Sequence, residues 1–283
     1  MSNSSTITLS DGRKLGFAEY GSSDGKPLLL FHGAPGSRLE CHPDQSILKE
    51  LGVRLIVIDR PGYGVSDSTP ERSILSWADD VRQLMDSLEV GCCPIIGFSG
   101  GGPYAMACAY TLPERVSRLG LVSSLAPFNN PNGTDGMNEQ SRSLYALALA
   151  DPDMFKSQIT ALVTNGEVLF HIITASLPEE DQRVLSRADM YEMYHADMNA
   201  AVNLGVSGIV SDMLLYASDW GFKLGDIQCE THLWQGMKDI NVPPSMGQYL
   251  AESIRNCRAT FLADEAHYLL FKYWKDILTE LTE

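Results

Sequence analysis

The chain has 283 residues, 44% hydrophobic and 20% charged, the make-up of an ordinary globular protein with room for one large domain and an insertion, or for two small ones. Its 36 acidic residues against 21 basic ones leave a formal net charge of −15, which repels phosphate backbones and anionic membranes and disfavours nucleic acid as a partner. No window approaches the roughly 18 to 20 apolar residues of a membrane span. The first residues lack the basic start and apolar stretch of a signal peptide, and six scattered cysteines without a CxxC pair read as free thiols of a reducing cytoplasm.

Taken in chain order, "TITLSDGRKLGFAEYG" predicts two strands joined at Asp11-Gly12, a strong hairpin dipeptide. "PLLLFHG" and "VRLIVIDRPG" are apolar on nearly every residue and stopped by Gly or Pro, as expected of parallel strands covered on both faces. Residues 43–51 between them read as helical. From Ile74 to Leu88, Trp77, Val81, Leu84, Met85 and Leu88 recur at spacings of three and four, one face of a helix with Ser73 as its N-cap. An apolar run then ends at Phe98, a helix is expected over 100–111, and "VSRLGLVSS" is a further strand.

Strand signals vanish from Pro127 to about Ser207, where helical patterns rich in Ala, Leu, Met and Tyr follow the turn-rich "FNNPNGTDG". Alternation resumes with "THLWQG" as a strand, a helix over 244–254, "CRATFLAD" as a strand, and one closing helix over 268–281. Strands alternating with helices argue for an α/β fold with a mostly parallel sheet. The expected organisation is a core of residues 1–126 and 208–283, with 127–207 as an inserted helical lid.

The chemistry concentrates at "GFSGG". A serine on a sharp strand-to-helix turn has a strained backbone, and its neighbours two residues away approach each other closely, a demand that Gly97 and Gly101 meet. The turn lifts the Ser99 hydroxyl above the sheet edge, where the Gly100 N–H and the helix dipole can receive a developing oxyanion. The rival reading, a phosphate-binding glycine loop, lacks both a following Lys and the G-x-G-x-x-G register.

With "HGAPGS" after the third strand, "DRPGYGVSD" after the fourth, "GFSGG", "GMKDINVP" and "EAHYLL" in that order, the chain resembles the α/β-hydrolase fold superfamily, in its serine-nucleophile, esterase- and lipase-like branch. The likeness covers nearly the whole chain and implies an eight-stranded, mostly parallel sheet flanked by helices. A serine hydroxyl needs a general base, and the base needs a carboxylate to fix its tautomer. Of six histidines, His267 lies where the family carries its base, whereas His32 has a loop-supporting role, and His42, His171, His195 and His232 read as packing or surface residues. Asp239 matches the family's acid in D-x-x-V-P; Asp264 and Glu265 are its rivals by adjacency to His267, and the stretch "LVSSLAPF" offers no carboxylate at the alternative family position.

The resemblance also implies a second oxyanion donor, the Ala34 N–H, although the loop departs from the HGGG form of one esterase branch. Asp59, Arg60, Gly62, Gly64 and Ser66 read as a structural tether. Phe98 and the lid stripe Met190, Met193, Tyr194 and Met198 are candidates to line a pocket, methionine being adaptable to varied shapes. No His/Cys/Asp/Glu cluster has metal-ligand spacing, so neither metal nor cofactor is expected. The implied activity is hydrolysis of an ester or related acyl bond in a small-molecule substrate. Carbon–carbon bond hydrolysis, aminopeptidase, acyltransferase and perhydrolase activities remain open, as does a ligand receptor of this fold; dehalogenases and epoxide hydrolases, which use an aspartate at the elbow, are disfavoured.

Overall fold

The computed structural model describes residues 3–69 and 71–283, so Met1, Ser2 and Pro70 of the expected core segment lie outside the described residues. Strands β1 (Asn3–Thr8) and β2 (Lys14–Gly21) form the antiparallel hairpin expected at Asp11-Gly12, where Gly12 takes a left-handed φ of 88°. Strand β3 (Lys26–Phe31), helix α1 (Ser46–Glu50), β4 (Val53–Ile58), α2 (Trp77–Ser87), β5 (Cys93–Phe98), α3 (Gly102–Thr111) and β6 (Val116–Val122) follow. Then come six helices in succession: α4 (Glu139–Ala150), α5 (Pro152–Leu162), α6 (Gly166–Thr174), α7 (Glu179–Leu185), α8 (Ala188–Ala201) and α9 (Ser207–Ala217). The chain ends with β7 (Glu230–Gly236), α10 (Pro244–Ser253), β8 (Cys257–Leu262), α11 (Leu269–Lys272) and α12 (Trp274–Thr282).

The eight strands form one sheet in the order β1-β2-β4-β3-β5-β6-β7-β8, antiparallel at β1–β2 and β2–β4 and parallel across the rest. The period-2 pleat explains the continuous apolar runs. Leu29, Phe31, Ile56, Ile58 and Ile95 pack on one face with α2 and α3, while Leu28, Leu30, Leu55, Val57 and Ile96 pack on the other with α12. Four of the five apolar positions read on α2 are fully buried and Leu88, the C-cap, is partly so. Among the described residues no helix is long and apolar enough to cross a membrane, and all six cysteines are free thiols.

Three local expectations are corrected. Helix α1 occupies only Ser46–Glu50, because Asp44 takes the Ser46 N–H and holds the residues before it in a turn. Ser73 does not cap α2: its hydroxyl accepts from the Ser76 N–H, closing a separate turn before the helix begins at Trp77. The closing helix is broken between Lys272 and Trp274, where Tyr273 turns toward Glu265 and hydrogen-bonds it at 3.0 Å.

Helices of the block between β6 and β7 start at side-chain caps: Asn138 accepts from Ser141, Asp151 from Met154 and Asn165 from Val168. The block runs on through α9, which packs against α4 and α5.

Candidate active site

Strand β5 delivers Ser99 to a short 3-10 turn, Ser99–Gly101, that leads into α3. Ser99 has φ 52°, a left-handed backbone that costs a non-glycine residue about 1–3 kcal/mol and persists only where its surroundings hold it. Those surroundings explain the flanking glycines. A Cβ on Gly97 would lie 2.7 Å from the Gly102 Cα, and one on Gly101 would lie 2.1 Å from the Phe31 carbonyl oxygen. Both contacts are with backbone, so neither position admits a side chain without moving the turn.

Adjacent strand ends bring the other groups to Ser99. The loop after β7 carries Asp239, and the loop after β8 carries His267, whose carbonyl accepts from the Ser123 hydroxyl at the end of β6 (2.9 Å). Asp239 Oδ1 accepts from the N–H groups of Asn241 and Val242, both at 2.8 Å, leaving Oδ2 to meet His267 Nδ1 at 2.8 Å. The ring's other nitrogen, Nε2, lies 3.0 Å from Ser99 Oγ. A carboxylate on Nδ1 puts the proton there and leaves Nε2 to accept from the hydroxyl. Asp264 and Glu265 do not compete: Asp264 is exposed beside Lys238, and Glu265 binds Lys272 and Tyr273.

Burial by itself would lower the pKa of His267. The Asp239 carboxylate, through charge and hydrogen bond, outweighs it with help from Asp181 and Glu40, and the imidazole stands above its ordinary 6.5. These two helpers had no motif to announce them. Glu40 is buried on the loop after β3, accepts the Gly33 N–H at 2.7 Å, and is pushed up to about 7 by burial. Asp181, on α7, accepts the Tyr268 N–H at 2.8 Å and is pushed up to about 6 by burial.

Beside Ser99 lies the loop after β3, because β3 and β5 are neighbours with Phe31 opposite Gly97. A Cβ on Gly100 would sit 2.5 Å from the Ala34 Cβ, so the two expected oxyanion residues are side by side. His32 accepts the Arg60 N–H at Nε2 (3.2 Å), which leaves its Nδ1–H to donate to the Gly33 carbonyl at 2.7 Å. Burial, and then the Arg60 cation, push its pKa well below the usual value, so it stays neutral.

Ser99, His267, Ala34 and Gly100 open on a cavity of about 190 Å³. Apolar side chains from the helical block line it, chiefly Leu144, Ile159, Leu169, Ile172, Ile173 and Met213; no Lys or Arg lines it among the described residues. Phe98 and Tyr194 reach this cavity, but Met190, Met193 and Met198 do not. The stripe does share a helical face, as its spacing says. That face packs into the core that α8 makes with α6 and α7, where Met190 and Met198 are fully buried and Met193 is half-buried. Tyr194 escapes toward the cavity because its hydroxyl pairs with that of Tyr268 at 2.5 Å.

Two further buried acids had a signal in the sequence. Asp197 lies on the same face as Met190, Tyr194 and Met198, and its carboxylate takes the N–H and hydroxyl of Ser37 (2.9 and 2.6 Å). Asp212 lies three residues after Ile209 and four before Tyr216 on one helical face, and it is fully buried. An acid inside an apolar stripe must be partnered. Among the described residues no group of His, Cys, Asp and Glu is arranged to hold a metal ion.

A sequence-family profile of the alpha/beta hydrolase fold matches residues 26–272, and the chain belongs to that family. It is an α/β hydrolase, an enzyme. Among its relatives, the "Putative carbamate hydrolase RutD" of Variovorax paradoxus (strain S110) is 27% identical over 89% of each chain. A 2-hydroxy-6-oxononadienedioate/2-hydroxy-6-oxononatrienedioate hydrolase of Pseudomonas putida is 28% identical over 81% of this chain and 77% of its own. The solved structure of the esterase EaEST from Exiguobacterium antarcticum superposes with a TM-score of 0.70 at 20% identity, covering 98% of both chains.

Proposed function

We propose that this hydrolase cleaves carboxylic esters through an acyl-enzyme on Ser99, with His267 as general base and Asp239 as the acid that holds it. The observation that carries the reading is the unbroken line of hydrogen bonds from Asp239 Oδ2 to His267 at 2.8 Å and from His267 to Ser99 Oγ at 3.0 Å. His267 takes the proton as Ser99 Oγ attacks the carbonyl carbon, and the oxyanion rests against the N–H groups of Ala34 and Gly100. The same proton goes to the departing alcohol, and His267 then activates the water that releases the acid.

In this reading residues 127–207 are the lid and residues 1–126 and 208–283 the core, with α9 as the joint between them. The lid supplies the apolar cavity wall, which suits an uncharged acyl group of modest length. Relatives that hydrolyse carbon–carbon bonds give a second reading some support, but the dienedioate named for the Pseudomonas putida protein carries two carboxylates. A cavity without Lys or Arg among its described lining residues favours a neutral ester instead. The free thiols fit a cytoplasmic enzyme.

The test is turnover of p-nitrophenyl esters of increasing chain length, with lactones, thioesters and aminoacyl amides alongside, and labelling by a fluorophosphonate. Ser99→Ala is expected to lose labelling and about 10⁶-fold in kcat. Undiminished turnover in that variant removes Ser99 from the mechanism, and labelling without turnover of any ester turns the reading toward a receptor.

A further inference from the structure

Arg60 is fully buried just after β4 and does not line the cavity. Its guanidinium divides its donors among three partners. Nε and Nη2 grip Asp212 Oδ2 at 3.0 and 2.9 Å, while Nη1 donates to the His32 carbonyl and Nη2 to the Gly33 carbonyl at 2.7 Å. Asp212 is in turn held by Arg72 (2.6 Å) and by the hydroxyls of Tyr104 (2.6 Å) and Tyr216 (2.9 Å). Burial would raise the Asp212 carboxyl, but Arg60 and Arg72 outweigh it and hold it well below the usual carboxylate range.

The Gly33 carbonyl and the Ala34 N–H belong to one peptide unit. Such a unit is planar and its N–H points opposite its C=O, so whatever fixes the carbonyl aims the amide. Here the carbonyl receives two donors, the Arg60 guanidinium and the His32 Nδ1–H, each at 2.7 Å. A cation bound to a carbonyl also draws electron density through the peptide and strengthens the opposite N–H as a donor.

We propose that Arg60 is a positioning residue for the oxyanion: through the Gly33 carbonyl it aims and polarises the Ala34 N–H, and Asp212 on α9 holds Arg60 in place. This deepens the esterase reading and rests on it. It also gives the helical block a direct mechanical link to the reacting centre, since α9 contributes both Asp212 and Tyr216, whose hydroxyl reaches the Gly100 carbonyl at 2.8 Å.

The experiment compares an oxoester, p-nitrophenyl butyrate, with its thiono analogue, in which sulfur replaces the carbonyl oxygen. Sulfur is larger and a poorer hydrogen-bond acceptor, so an enzyme that depends on oxyanion donors strongly prefers the oxoester. Arg60→Lys keeps the charge but loses the planar fork that spans two carbonyls. The expected result is a loss of about 10- to 100-fold in kcat on the oxoester with KM nearly unchanged, and a fall in the oxo-to-thiono preference by the same factor. A role in folding alone lowers the melting temperature or both ester rates together and leaves that preference intact, which overturns the proposal, as does full oxoester activity.

Where Arg60→Lys fails to fold, Asp212→Asn answers the same question: it removes the charge that holds Arg60 and is expected to lower the oxo-to-thiono preference, and an unchanged preference in that variant overturns the proposal. Wild-type protein that turns over both esters alike instead overturns the oxyanion assignment of Ala34 itself.

Discussion

The carboxyl edge of the sheet and the helical block above it meet at the same cavity, yet they are specified in different ways. At the sheet edge each group is set by a local demand: Gly97 and Gly101 by backbone contacts under 3 Å, Ser99 by a left-handed turn, Asp239 by two N–H groups of its own loop. In the block the decisive residues act over long separations. Asp181 meets the backbone of Tyr268, Asp197 meets Ser37, and Asp212 meets Arg60 and Arg72. One region is built from short segments that carry their own geometry, and the other acquires its geometry only on docking. Three consecutive helices, α7, α8 and α9, each lend one buried aspartate to the loops at the sheet edge, so the block is more than a cover.

The most severe test of the contrast lies at the sheet edge. Asp239→Asn keeps the shape and the loop hydrogen bonds but favours the wrong tautomer of His267, and kcat is expected to fall by about 10⁴-fold. On the proposed mechanism His267 must be neutral to act, so wild-type activity is expected to be lost as the pH falls through its pKa. The surrounding carboxylates place that midpoint above 6.5, and the asparagine moves it down. A pH–rate profile of kcat/KM checks both; an unmoved acid limb assigns it to another group.

The same contrast explains how much was legible in the sequence. The strands and the elbow could be read because each is announced by residues within a few positions of it, whereas Asp239 and His267 enter through the resemblance of their segments to the family's. Period-3.6 patterning marks the buried face of a helix but not what that face is buried against. The stripe of Met190, Met193 and Met198 is therefore a candidate pocket lining by its spacing and belongs to a core in the structure. Asp197 and Asp212 carry a signal in the sequence that went unused, an acid inside an apolar stripe, whereas Glu40 stands in a loop with no period to betray it. The break at Tyr273 depends on Glu265, a contact that neither spacing nor propensity carries.

Two substitutions in the block separate core from cavity directly. Met198→Ala removes a fully buried side chain and is expected to cost about 2–4 kcal/mol of stability by chemical denaturation, with the preference among p-nitrophenyl esters unchanged. Ile172→Trp fills space on a cavity wall, so stability should change by less than about 1.5 kcal/mol. Preference for longer acyl chains over acetate should fall about tenfold in the same variant. A chain-length shift in Met198→Ala, or none in Ile172→Trp, reverses the division between the two faces.

The smallest effect is the most specific to the docking of the block. Asp181 is buried, its Oδ1 holds the Tyr268 N–H, and its Oδ2 has no hydrogen-bond partner among the described residues. Burial raises its pKa from an ordinary 3.8 to about 6, so folding favours the protonated acid. The stability that this raised value contributes is fully present below the unfolded pKa and is lost as the pH rises through the folded one. Asp181→Asn keeps an acceptor for Tyr268 and removes the charge. It is therefore expected to gain about 2–3 kcal/mol over wild type near pH 8 and nothing near pH 3, read from denaturant midpoints at the two pH values. Because the Asp181 anion also helps to raise His267, the acid limb of activity should move down, and by less than in Asp239→Asn. A gain in stability with an unmoved acid limb makes Asp181 a clasp for the Tyr268 backbone alone; movement of both ties the docking of α7 to the protonation of the base it covers.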